Sequence, residues 1–207
     1  MEIIREKKMD GQKKTHSGGE MRNCFEAKDP LVHTETEIKL LVEMPEDRTL
    51  ENWSRGDLVQ TYLTNPEVME RVRSWTENGV TCYTHTIKQG SGISHLEREE
   101  EISRETYEAL LERADPQRVP VVKTRCRLNW QGFCYELDIY PQWTRQAVLE
   151  VELERVDLHP ALPPGIRMIR DVTFEDAYSN SSMALRMPPE EGRQKVSDMC
   201  AGSEEEP

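Results

Sequence analysis

The chain has 207 residues, with 27 Lys and Arg against 39 Asp and Glu and a formal net charge of -12, which suits one sizeable domain with tails and disfavours general nucleic-acid binding. Hydrophobic residues make up 36% and mean hydropathy is -0.77, low for a dry core, and no apolar run approaches the ~20 residues of a membrane span. Cys24, Cys82, Cys126, Cys134 and Cys200 show no CxxC spacing and the N-terminus lacks an apolar signal region, so free thiols in a cytoplasmic setting are expected and a zinc site is not.

Residues 1–29 are rich in Lys and Glu with little apolar patterning, too little to offset chain entropy, and are expected to form a disordered arm. The domain is expected over residues 30–187. Its first strand is carried by Glu35-Thr36-Glu37-Ile38-Lys39 and runs on into Leu40-Leu41-Val42. Alternation turns Glu35, Glu37 and Lys39 to one face and Thr36, Ile38 and Leu40 to the other. A short helix or turn around Leu50 and Trp53 leads to a second strand over 57–63, closed by Asn65-Pro66. Residues 69–75 alternate again with Arg71 and Arg73 on one face, and Glu77-Asn78-Gly79 turns the chain into a strand over 80–88 ending in Lys88.

After Gly90-Ser91-Gly92, the alternating Glu97, Glu99 and Glu101 read two ways. On a strand they would repel unless cations sat between them; alternatively they open a solvated helix, since Ser103 is placed to cap a helix over 104–111. Residues 119–128 are β-branched and then set Lys123, Arg125 and Arg127 against Val122, Thr124, Cys126 and Leu128. The Asn129-Trp130-Gln131-Gly132 turn returns the chain as a strand over 133–140 with Glu136 and Asp138 on one face. A last strand over 146–155 sets Glu150, Glu152 and Glu154 opposite Leu149, Val151 and Leu153. Residues 160–165 are a loop, 173–185 a short capped helix, and 188–207 a disordered acidic tail.

The elements predict a mainly β fold: a closed eight-stranded antiparallel barrel with a polar, charged lumen and a few flanking helices. The inward faces would gather the acids Glu35, Glu37, Glu97, Glu99, Glu101, Asp138, Glu150 and Glu152 with the bases Lys39, Arg71, Arg73, Lys88, Lys123 and Arg125. Unpaired buried charge is costly, so such a lumen must be wet and exchange its charges with ligands. Acid clusters suit hard cations such as Mg2+ or Mn2+, and clusters of Arg and Lys suit phosphate oxygens, so together they describe a metal-polyphosphate site. A sheet solvated on one face and packed on the other is the plainer reading, but the chain has too few amphipathic helices for its second layer.

Glu35-Thr36-Glu37-Ile38-Lys39 resembles the ExExK signature of the CYTH, or triphosphate tunnel metalloenzyme, superfamily. The later pieces follow in the order of its bacterial tripolyphosphatase-like branch: Gln60-Thr61-Tyr62-Leu63, Arg71-Val72-Arg73, Thr86-Ile87-Lys88, Glu97-x-Glu99-x-Glu101-Ile102, Lys123-Thr124-Arg125, Glu136-Leu137-Asp138, Glu150-Val151-Glu152-Leu153, and Asp171-Val172-Thr173 before Tyr178-Ser179-Asn180. The resemblance implies an eight-stranded tunnel that binds a triphosphate with divalent metal. It departs from the family at residues 165–173 and at Cys126, where that branch commonly has Tyr. Lys39, Arg71, Arg73, Lys88, Lys123 and Arg125 are expected to bind the triphosphate, and Glu35, Glu37, Glu99, Glu101, Asp138, Glu150 and Glu152 the metal. Glu152 and Asp138 are expected to be catalytic. The acids would form two banks, Glu35 and Glu37 with Glu150 and Glu152, and Glu99 and Glu101 with Asp138. The expected reaction is hydrolysis of the terminal phosphoanhydride, with inorganic tripolyphosphate first among substrates. Thiamine or nucleoside triphosphate hydrolysis, class IV-type cyclisation and non-catalytic sensing share the same cradle. The partner is a triphosphate-containing small molecule, neither DNA nor membrane, and the chain is a monomer or a homodimer.

Overall fold

A computed structural model of the chain describes residues 31–89 and 94–191. In chain order the elements are β1 (Leu31–Glu43), β2 (Ser54–Tyr62), β3 (Met69–Glu77), β4 (Val80–Gln89), β5 (Ser94–Ile102), α1 (Arg104–Leu111), β6 (Val121–Trp130), β7 (Phe133–Ile139), β8 (Gln146–Glu152), β9 (Met168–Asp171) and α2 (Asn180–Met183). The strands make one curled antiparallel sheet in the order β5-β4-β3-β2-β6-β7-β8-β1-β9. Along Leu31–Thr36, β1 also pairs with β5.

Two short turns carry positive φ at both central residues, Asn78-Gly79 and Gln131-Gly132, which matches the twist of the β3–β4 and β6–β7 hairpins they join. The Glu97 to Glu101 run is a strand, paired with β4 from Tyr83↔Ile102 to Gln89↔Leu96. Ser103 accepts a hydrogen bond from the Thr106 amide and caps α1. Among the described residues nine strands stand where eight are expected. The ninth is a four-residue strand beside β1, inside the stretch at which the chain departs from its expected family pattern. The helix expected over 173–185 is a 3-10 turn, Asp176–Tyr178, followed by the single turn of α2.

Three apolar clusters hold the sheet. On the outer face of β1, β6, β7 and β8, Leu40, Val42, Cys126, Tyr135, Leu137, Leu149 and Val151 pack under Trp53, Leu153 and Ile166, so loops supply a layer that helices usually supply. Cys126 therefore lies outside the lumen. Tyr107 of α1 packs on Leu63 and Val72. Beside it, burial pushes the Glu70 carboxyl up, but hydrogen bonds from Arg113, Asn65 and His85 outweigh it and bring it down to about 2. The third cluster is on the inner face: Leu41, Tyr62, Val121, Tyr140 and Val148 meet Val172, Tyr178, Met183 and Ala184, with the Trp143 ring 5.1 Å from Tyr140. This cluster plugs one end of the curled sheet.

Residues 188–191, expected to begin the tail, are bonded to the domain. Pro188 O accepts from Trp143 Nε1 at 2.9 Å, and the Glu191 amide donates to Gln146 Oε1 at 2.8 Å. The arm over 1–29 and the tail from 192 onward lie outside the described residues. Cys126 and Cys134 are free thiols, as expected, whereas Cys82 is disulfide-bonded. No helix among the described residues is long and apolar enough to cross a membrane.

Candidate active site

One step along each strand from the plug, the inner face changes from apolar to charged. Leu41 gives way to Lys39 and Glu37 on β1, Val121 to Lys123 and Arg125 on β6, and Val148 to Glu150 and Glu152 on β8. Strand alternation makes this possible, and register then sets neighbours: Glu37 faces Glu152, Lys39 faces Glu150, Arg125 faces Asp138, and Arg127 faces Glu136.

On the wall made by β1, β6, β7 and β8 the charges compensate one another closely. Lys39 Nζ bridges Glu37 and, at 2.8 Å, Glu150 Oε1. Arg125 reaches Asp138 Oδ1 at 2.6 Å, Glu150 Oε2 at 2.6 Å, and Glu136. Lys123 donates to Asp138 and to Asn180 Oδ1 at 3.1 Å, which ties the charged belt to the first turn of α2. Burial opposes the Lys39 charge, yet Glu150 and Glu37 hold its ammonium well above the usual lysine range. Burial raises Glu150, but Lys39, Arg125 and Lys123 outweigh it and keep its carboxyl well below the usual range. For Lys123, burial and the adjacent Arg125 prevail over Asp138 and Glu150 and bring the ammonium down to about 8.

The wall made by β2 to β5 pairs its bases through Glu97 and Glu99. Arg71 and Lys88 both reach Glu97, each at 2.7 Å. Arg73 donates to Gln60 Oε1 at 3.1 Å and lies 3.9 Å from Glu99, which also accepts from Thr86 Oγ1 at 2.9 Å. The Arg73 Nε is buried with no hydrogen-bond partner among the described residues. Burial, reinforced by Arg71, lowers the Arg73 pKa, the direction expected of a cation short of anions.

Of the residues singled out by sequence, Lys39, Lys123, Arg125, Glu37, Asp138 and Glu150 form one ion-pair network on the first wall, and Arg71 and Lys88 with Glu97, and Arg73 with Glu99, pair on the second, all on the inner face. Glu152 is exposed at its rim, beside Glu37. Glu101 is exposed at the end of β5 and enters none of these pairs. Glu35 lies on β1, and its side chain is outside what is described. The second bank of acids does not assemble as expected: Asp138 shares Arg125 with Glu150, because β7 adjoins β8 and not β5. Among the described residues, no three or more His, Cys, Asp or Glu are grouped to hold an ion. Gln60, which the sequence offers within the Gln60-Thr61-Tyr62-Leu63 motif but without a site role, is fully buried between Arg73 and Tyr62. It stands at the inward parity of β2, a position whose neighbours only the strand order supplies.

The curled antiparallel sheet and its belt of inward acids and bases define the class: the chain has the CYTH, or triphosphate tunnel, fold. Among solved structures it is similar to the inorganic triphosphatase NE1496, with 28% identity, a TM-score of 0.51, and coverage of 75% of this chain and 100% of that one. It is also similar to the PH1819 protein from Pyrococcus horikoshii OT3, at 22% identity and a TM-score of 0.44, covering 58% of this chain and 80% of that one. No family model and no curated protein matches the sequence.

Proposed function

We propose that the chain is a divalent-metal-dependent hydrolase that cleaves the terminal phosphoanhydride of a triphosphate, inorganic tripolyphosphate first among them. The observation that carries this reading is the set of buried bases drawn from separate strands into one belt, with Arg73 short of anions. Phosphate oxygens are the ligand such a belt lacks. The likeness to the inorganic triphosphatase NE1496 supports the same reaction class. The β1–β5 pairing supports a closed, eight-stranded tunnel around the ligand, with β9 as an addition outside it.

The lining also fits a cation. Its acids offer only oxygen donors, the set hard divalent ions take, and the Lys39 ammonium lodged between Glu37 and Glu150 already fills the place of a positive charge there. Glu37, Glu150 and Glu152, which β1 and β8 bring side by side, with Glu35 by sequence, are the residues that would hold Mg2+ or Mn2+. When bound, the ion neutralises phosphate charge and makes water a better nucleophile. The chain's own residues divide the remaining work. Lys39, Arg71, Arg73, Lys88, Lys123 and Arg125 bind and orient the triphosphate. Asp138, fully buried between Lys123 and Arg125, fixes those two bases. The exposed Glu152 carboxylate takes the proton of the attacking water as the terminal P–O bond breaks and pyrophosphate leaves.

Product analysis with tripolyphosphate tests the proposal. Equal release of phosphate and pyrophosphate, abolished by EDTA, is the expected result; turnover in metal-free buffer, or none on any triphosphate, contradicts it.

A further inference from the structure

Register gives the inward bases their neighbours on the next strand, and those neighbours differ in charge. Lys39 faces Glu150, Arg125 faces Asp138 and Lys88 faces Glu97. Arg73 faces Gln60 on β2 and Thr84 on β4, both neutral. Gln60 is fully buried and both ends of its amide are used: Oε1 accepts from Arg73 Nη2 at 3.1 Å, and Nε2 donates to Tyr62 Oη at 2.7 Å. A guanidinium only donates, so the amide oxygen must face Arg73 and the amide cannot turn over. It therefore fixes the plane of the guanidinium and takes none of its charge. On the β4 side, the Thr84 hydroxyl and Arg73 Nε are buried and have no hydrogen-bond partner among the described residues. They belong to one cross-strand pair on one face, and Glu99 stands 3.9 Å from Arg73, beyond hydrogen-bond reach. A buried donor without a partner is costly, so two on one pair call for a reason beyond the fold.

We infer that Gln60 and Thr84 are a neutral frame around Arg73 that sets how tightly the tunnel holds its anion: Gln60 is a positioning residue that orients the guanidinium without neutralising it, and the Thr84 hydroxyl donates to the phosphate that Arg73 binds. The inference rests on the triphosphatase reading and deepens it, by naming what fixes the affinity of that site. A buried amide that served the fold alone would satisfy Arg73 and Tyr62 and do no more. A glutamate of nearly the same shape would meet that need with charge-assisted bonds, which are the stronger kind, and would complete the pair as Asp138 does for Arg125. The amide leaves the positive charge of Arg73 for the ligand.

Three variants of the full chain, Gln60→Glu, Gln60→Met and Thr84→Val, separate the two roles when thermal unfolding without ligand is set beside the dissociation constant for tripolyphosphate with Mg2+. Gln60→Glu gives Arg73 an anion of its own. It is at least as stable as Gln60→Met, yet it binds tripolyphosphate about 10-fold or more weaker than wild type, and weaker than Gln60→Met does. Thr84→Val removes a hydroxyl that no described residue bonds, so it keeps the wild-type melting temperature while its affinity falls about threefold or more. The orders of stability and affinity therefore cross, which packing alone does not produce. Affinity that follows stability, with Gln60→Met weakest in both, overturns the inference and leaves the triphosphatase reading intact. Wild-type affinity in Thr84→Val does the same, a measurement that stands even where the Gln60 variants fail to fold. Wild-type protein that binds no tripolyphosphate overturns the triphosphatase reading itself, and the inference with it.

Discussion

Arg125 and Arg73 occupy opposite walls of the same belt and are built to different ends. Arg125 is gripped by Asp138, Glu150 and Glu136, all of them buried or partly buried, while Arg73 has one glutamine, a glutamate 3.9 Å away, and an Nε without a partner among the described residues. A buried ion pair that is complete contributes position more than stability, but breaking it is costly because it strands the surviving charge. A buried cation that is under-partnered already bears part of that cost, and an incoming anion relieves it. Arg125 and its carboxylates therefore set the shape of one wall, and Arg73 on the other is the base left to receive an anion.

The largest effect expected from this contrast is on stability. Arg125→Ala takes one of two cations from each of three carboxylates, leaving Asp138 to Lys123, Glu150 to Lys39 and Glu136 to Arg127, and should lower unfolding free energy by about 3–5 kcal/mol in denaturant titration, far more than Arg73→Ala. Similar losses for the two variants would erase the distinction between the walls.

Next in size is catalysis at the rim. Glu152 is exposed, so Glu152→Gln should leave the melting temperature within a few degrees of the parent while lowering kcat on tripolyphosphate by about 10²-fold. An unchanged kcat would remove Glu152 from the proton transfer.

The pH dependence of binding is smaller. Lys123 is lowered to about 8, so its ammonium is present below that pH and lost above it, whereas an unfolded lysine stays charged to about 10.5. Tripolyphosphate affinity should fall from about pH 8 upward, by up to about tenfold per unit, and Lys123→Arg should flatten the curve. A flat wild-type profile from pH 7 to 9.5 would show that Asp138 keeps Lys123 charged throughout.

How much of this was legible from sequence follows from what local pattern can carry. Alternation on β1, β3, β6, β7 and β8 gives the inward parity of Lys39, Arg71, Arg73, Lys123, Arg125, Asp138 and Glu150, because parity is a property of one strand. The ambiguity at Glu97 resolves only through tertiary pairing: the strand form puts Glu97 between Arg71 and Lys88, neighbours a local reading cannot supply. The four residues of β9 are too short for any period, and its place is fixed by the Val172 amide donating to Lys39 O at 2.9 Å and by the Lys39 amide donating to Thr173 Oγ1 at 3.0 Å. The Asp138 neighbourhood depends on the strand order β3-β2-β6-β7-β8, which is not sequential and which no single motif records.

The most direct test of the two-wall account is calorimetric titration of tripolyphosphate with Mg2+ into Glu152→Gln protein, with and without Arg73→Ala. The account predicts that removing Arg73 weakens binding by roughly 1.5–3 kcal/mol, the worth of a charge-assisted hydrogen bond to the ligand, while the melting temperature stays close to that of the parent because the fold does not depend on that bond. Equal affinity in the two folded proteins would contradict it, since Arg73 would then be no part of the surface that holds the triphosphate.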